Sequence, residues 1–169
     1  MIFKSDLSEA SSEQSLETDF SYNYYSSYFM RLPIQVEAIV FRRNGSVIEY
    51  LLLKRQPERN GFWQPVTGGV EEGETLEEAL HREVTEETGI KDIVAMIQNL
   101  HYFEFSDPNR NQEYVYGVEV SSSEKVVHDQ KEHSEHRWCS FPEALQLLHW
   151  KENKEALEKL DVILTQHQK

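Results

Sequence analysis

GGVEEGETLEEALHREVTEETGI, from Gly68 to Ile90, carries eight glutamates in 23 residues, and Arg82 is its only permanent cation. Its ends are those of a helix. Thr75 followed by Glu78 makes a capping-box pattern, and Gly89 makes a C-terminal stop. The spacing predicts a helix over Leu76 to Thr88. At about 100° per residue, Leu76, Ala79, Leu80 and Val84 form one apolar stripe. Glu83 and Glu87 fall in the middle of that stripe, Glu86 lies on its edge and Arg82 just beyond it.

This placement breaks two local rules. A carboxylate on a buried face needs a partner, and negative charge in the last turn opposes the helix dipole. Glu83 and Glu87 are also a like-charged pair one turn apart, expected to repel. A solvated acidic face explains Glu77 and Glu78, which sit well off the stripe, but not Glu83 and Glu87. A divalent cation removes both objections. Hard oxygen donors, with no cysteine and few histidines nearby, indicate Mg²⁺ or Mn²⁺ rather than zinc. Gly68, Gly69 and Gly73 precede the helix in a loop that lets backbone approach a ligand closely, and a glycine carbonyl is a plausible further metal ligand.

Outward from the helix, the remaining chain reads as strands with a few helices. Strands are expected over residues 33–43 and 46–55, joined by an Asn44-Gly45 turn, and residues 56–61 form a loop. Further strands are expected over residues 93–105, 113–121 and 136–141. Residues 106–112 make a turn, and 128–135 a polar loop. Helices are expected over residues 142–150 and 153–167, the first with Pro142 in its opening turn. The fold class is therefore α/β, a sheet with helices on both faces.

Residues 1–30 stand apart as an N-terminal arm, leaving 31–169 as the domain. The arm opens Ser- and Glu-rich, close to a disordered composition, and then carries six aromatics between Phe20 and Phe29. Such a run is expected to pack on the domain or on a second subunit as a homodimer; a lid over the pocket is the functional alternative, and a linker the remaining one. No apolar stretch reaches the roughly 18 residues of a membrane helix, the N-terminus lacks the apolar core of a signal peptide, and Cys139 is the only cysteine. A reducing, cytoplasmic setting is expected. The formal net charge of −13 argues against nucleic acid or an anionic membrane as partner, and an anionic substrate would need cations to admit it.

The stretch resembles the Nudix box, G-x5-E-x7-R-E-U-x-E-E-x-G-U with U aliphatic, at Gly68, Glu74, Arg82, Glu83, Val84, Glu86, Glu87, Gly89 and Ile90, every defined position being matched. The element order extends the likeness over about residues 32–165. The resemblance implies an α/β/α sandwich with a mixed sheet between helices. It implies a Mg²⁺- or Mn²⁺-dependent hydrolase of a small phosphorylated molecule, a nucleoside diphosphate linked to another group. It makes Glu83, Glu86 and Glu87 the metal set, with Arg82 orienting a neighbouring glutamate, Glu74 supporting the helix and the Gly68 carbonyl adding a ligand.

Residues 51–74 and 131–145 are similar to the branch containing dihydroneopterin triphosphate and deoxynucleoside triphosphate pyrophosphohydrolases, through Trp63, Glu132, His133, Arg137 and Trp138. There the late glutamate completes the metal site, so Glu132 inherits that role, and Glu132 and Glu86 are the candidates for general base. Otherwise Glu132 is a solvated loop carboxylate. Arg55 is a candidate phosphate contact or a surface ion pair. Trp63 either stacks on a base or pterin ring or is a core aromatic. His133 and His136 form a lone H-x2-H, too little for a zinc site. The leading expectation is cleavage of a nucleoside or pterin triphosphate to a monophosphate and pyrophosphate. The alternatives are hydrolysis of ADP-ribose, nucleotide sugars or dinucleoside polyphosphates, or a non-catalytic module that binds nucleotides.

Overall fold

The computed structural model describes residues 33–106 and 110–166; the N-terminal arm lies outside them. Seven strands and three helices are formed among the described residues: β1 Ile34–Asn44, β2 Val47–Arg55, β3 Trp63–Gln64, β4 Val66–Gly69, α1 Leu76–Thr88, β5 Ile93–Ser106, β6 Arg110–Val120, β7 His133–Cys139, α2 Phe141–Leu147 and α3 Lys151–Gln166. The sheet is mixed. β1 and β6 run parallel at its centre, and the remaining pairings are antiparallel.

β1 is long enough to serve three neighbours. Its far half pairs with β2 and its first half with β4 along one edge, while β6 occupies the other. Period-two alternation then splits its side chains between two cores. Val36, Ala38 and Val40 face α1, with Ala79, Leu80 and Val84 opposite them. Ile39 and Phe41 face α2 and α3, with Ala144, Leu157 and Leu160. A strand apolar on both faces is what a sheet covered on both sides requires, and the expected sandwich of a mixed sheet between helices is what the chain forms.

Helix α1 has the expected bounds. The Thr75 hydroxyl accepts from the Glu78 N–H, and the Glu78 carboxylate accepts from the Thr75 N–H. Gly89 closes the helix at φ 73°, a left-handed conformation open to glycine at little cost. Elsewhere the structure differs from expectation. The hairpin turns at Gly45-Ser46, with Asn44 still paired to Val47. β3 lies in a stretch that the sequence pattern leaves unassigned, and β4 takes in Gly68 and Gly69, expected in a loop, because they pair with Val36 and Gln35 of β1. β6 begins at Arg110 and β7 at His133, because pairing with β5 and β2 extends strand geometry into residues that read as polar turns.

Candidate active site

The last turns of α1 face a cleft of about 1090 Å³ whose lining takes residues from both faces of the sheet. Glu83, Glu86 and Glu87 all line it, together with Gly68, Arg55, Arg59, Arg82 and Glu132. The stripe geometry sets their exposure. Glu87 is buried, the Glu83 side chain is mostly covered, and Glu86 is 60% exposed.

Arg82 is the hub. Its guanidinium grips Glu74 with two bonds of 2.7 and 2.9 Å, donates to Glu83 at 2.7 Å and to the Gly69 carbonyl at 2.8 Å, and reaches Glu86 at 3.5 Å. A forked guanidinium suits such a set. The Arg82 bonds hold the Glu74 carboxyl down at about pKa 2, helped by the Glu71 N–H and opposed by some desolvation. Arg82 therefore ties the end of β4 and the loop after it to the helix, and fixes Glu83. Gly68 completes that arrangement. A Cβ there would overlap the Glu83 carboxylate, so only glycine lets Glu83 lie against β4.

Glu87 is different. One carboxylate oxygen accepts the Thr67 N–H; the other, Oε2, is buried with no partner. Burial is the main cause that pushes this carboxyl well above the usual range, and the charges of Glu83 and Glu132 push it further. The expectation of two uncompensated glutamates thus holds for Glu87 but not for Glu83, which Arg82 neutralises.

Glu132 reaches the site on a loop anchored to both neighbours. Val127 and Asp129 donate N–H groups to the Thr88 and Glu87 carbonyls at the end of α1, and the Gln56 N–H donates to the Glu132 carbonyl. The loop thus satisfies carbonyls that a helix end leaves open. The Glu132 carboxylate pairs with Arg59 at 3.0 Å. Arg59 is a cleft residue that sequence reading leaves inside an unassigned loop; its signal is a cation between a strand and the glycine loop. Arg55 lines the cleft, acts electrostatically on Glu87 and lies over the Phe62 ring. His133, behind Glu132, is buried, and burial holds it neutral with a pKa of about 4.

Trp63 requires correction as a candidate stacking residue. It lies in the core beneath α2 and α3, 9% exposed, with Arg137 and Lys54 over its ring, and does not line the cleft. Trp63 opens β3, and it is its neighbour Phe62 that meets the cleft. Phe62 stacks on His149 and contacts Trp150 edge-on.

The donors at the end of α1 are carboxylates, with Gly68 lining the same cleft, and this oxygen set suits a hard divalent cation. The orphaned Glu87 oxygen is the atom such a cation would satisfy. Among the described residues no three side chains form a closed metal cluster: Glu83 is turned to Arg82, Glu132 to Arg59, and Glu86 toward solvent.

Residues 31–160 match the model of the NUDIX domain. The chain belongs to the Nudix family. Relatives in the family are named as a diphosphatase and a tetraphosphatase, hydrolases of phosphoric anhydride bonds, and members of the family generally use divalent metals and small phosphorylated substrates. An octanoyltransferase of Myxococcus xanthus is 32% identical over 73% of this chain, which spans only 35% of that protein's length. The dihydroneopterin triphosphate diphosphatase of Escherichia coli is 28% identical over 75% of this chain and 91% of the relative. The solved structure of the E. coli dihydroneopterin triphosphate pyrophosphohydrolase superposes with a TM-score of 0.67 at 26% identity, covering 79% of this chain and 97% of that one. The asymmetrical bis(5'-nucleosyl)-tetraphosphatase of Mus musculus is 32% identical over 72% of this chain and 88% of its own. Among the described residues no helix is long and apolar enough to cross a membrane.

Proposed function

We propose that this Nudix hydrolase cleaves a nucleoside or pterin triphosphate to the monophosphate and pyrophosphate, using Mg²⁺ or Mn²⁺. The observation that carries the reading is Glu87: a buried carboxylate with an unpartnered oxygen, at the negative end of a helix, facing a cleft beside Glu83 and Glu86. Glu83, Glu86 and Glu87 hold the cation, with Glu132 and the Gly68 carbonyl as further ligands. When bound, it offsets phosphate charge and makes water a stronger nucleophile. Arg82 holds Glu83 in place. Glu86 and Glu132, the two of these four carboxylates open to solvent, are the candidates to take the proton from the attacking water. Arg55 and Arg59 supply positive charge along the cleft for a polyanion in a protein of net charge −13.

The triphosphate assignment draws on the near full-length likeness to a dihydroneopterin triphosphate diphosphatase. The likeness to a tetraphosphatase supports dinucleoside polyphosphates as the second reading. A panel of nucleoside triphosphates, dihydroneopterin triphosphate, ADP-ribose and dinucleoside polyphosphates, with products identified, tests both. Pyrophosphate release from a triphosphate, abolished by EDTA, is expected. Much faster turnover of ADP-ribose or a dinucleoside polyphosphate than of every triphosphate would overturn the assignment.

A further inference from the structure

A second group of buried polar side chains lines the same cleft on the α3 side of the sheet. Glu37 of β1 is 1% exposed and Asn153 of α3 is 6% exposed. The Asn153 amide donates from Nδ2 to Glu37 Oε2 at 2.5 Å. That bond fixes the sense of the amide, because a carboxylate oxygen needs a donor. It leaves two buried atoms with no partner, Glu37 Oε1 and Asn153 Oδ1. Buried polar atoms in folded proteins are almost always paired. Two orphans on hydrogen-bonded neighbours, both lining a cleft, are positioned to receive a ligand. Thr67, the β4 residue paired with Glu37 of β1, lies between them and α1: its N–H serves Glu87, and its hydroxyl donates to Glu113 at 2.7 Å.

We infer that Glu37 and Asn153 form a specificity subsite for a heterocycle that offers two adjacent N–H donors, the 2-amino-4-oxo-pyrimidine edge shared by guanine and pterins. The inference rests on the reading that the cleft takes a nucleoside or pterin triphosphate. One of the two Asn153 amide hydrogens is committed to Glu37, and with Glu37 ionised both orphaned atoms are acceptors. A guanine edge answers with its ring N–H and 2-amino group, and a pterin presents the same pair. Adenine and cytosine set one donor beside one acceptor, which leaves a buried acceptor facing another. Uracil and thymine offer a single N–H between two carbonyls. Sites built on buried hydrogen bonds discriminate strongly against analogues that leave them unmade. Phe62 and Trp150, 5.8 Å apart in the same cleft, provide aromatic surface for a flat ring. Burial and the Glu113 carboxylate push the Glu37 carboxyl up, a strain that two ligand donors relieve.

The test is calorimetric binding to the full chain in EDTA, which does not depend on turnover, using GMP, AMP, CMP, UMP and dihydroneopterin monophosphate. GMP, the pterin or both should bind at least about tenfold tighter than the other three, and whichever is tighter names the source of the edge. In Glu37→Gln the ratio of GMP to AMP affinity should fall toward one. Asn153→Ala is the second variant should Glu37→Gln not fold, and thermal melting reports folding for each. Equal affinity for all five ligands, a preference for AMP or CMP, or a GMP preference kept in a folded Glu37→Gln protein would overturn the subsite. Triphosphate cleavage without base preference sinks this inference and spares the hydrolytic reading. Base preference without any triphosphate cleavage does the reverse.

Discussion

Glu83 and Glu87 sit one helical turn apart on the same face, yet the protein treats them differently. Glu83 has a charge-assisted bond to Arg82, whereas Glu87 has a buried oxygen without a partner. In EDTA at neutral pH, Glu87→Gln removes a charge that burial and two neighbouring carboxylates oppose. Its melting temperature should equal or exceed that of wild type. Glu83→Gln also relieves repulsion but weakens a bond of the kind worth about 1.5–3 kcal/mol, so it should melt lower. Adding Mg²⁺ should lift wild type above both, by about 2.7 kcal/mol at a hundredfold excess over the dissociation constant. Thermal melts of the three proteins decide the matter, and Glu87→Gln melting clearly below wild type in EDTA would count against an uncompensated carboxylate. Gly68 makes a companion case. The atoms a Cβ would meet belong to the mobile end of Glu83. Gly68→Ala should therefore keep most of its stability while Glu83 swings off its position, and activity should fall on the order of a hundredfold. A large loss of melting temperature instead would mean the backbone, not Glu83, yields.

Helix α1 and the loop before it are joined mainly through Glu74 and Arg82, and this joint has a pH signature. The Glu74 carboxyl is depressed from 4.5 to about 2 in the folded protein. A depressed carboxyl contributes stability that is present above its unfolded value and lost as pH falls through its folded value. Between pH 4.5 and about 2, wild type should lose melting temperature more steeply than Glu74→Gln, and the two should converge at the acid end. Glu87 shifts in the opposite direction, so the comparison with Glu74→Gln isolates the joint better than the bare profile; parallel profiles would show that it contributes nothing. The helix itself was legible because both of its ends carry local chemistry, the capping box at Thr75 and the stop at Gly89. Its misplaced glutamates marked the cleft, since a stripe is a local property. What remained illegible is set by pairing across distance. β3 and β4 have two and four residues, too few for alternation to show. Whether Phe62 or Trp63 meets the cleft depends on where β3 pairs with β2. Glu37 reads as one polar residue in a buried strand until Asn153, 116 positions away, comes beside it.

At the scale of the whole molecule, the issue is how a protein of charge −13 admits a polyanion. The cleft answers locally, with Arg55, Arg59 and Arg82 among its carboxylates, and the long-range field still opposes. Residues 1–28 hold five acidic residues and one lysine, so their removal takes the net charge from −13 to −9. The family match begins at residue 31 and β1 at Ile34, so both cores survive the truncation on paper. The truncated protein should fold and remain a metal-dependent hydrolase. Its KM for a triphosphate at low ionic strength should be equal to or below that of the full chain, because less repulsion opposes the approach of the anion. In high salt the two KM values should coincide, since screening removes interactions beyond about a Debye length. Steady-state kinetics at two salt concentrations, with melting to confirm the fold, makes the measurement. If a folded truncation loses its activity at both salt concentrations, the aromatic run at Phe20 to Phe29 acts on the cleft directly, as a lid, and charge is not what the arm contributes.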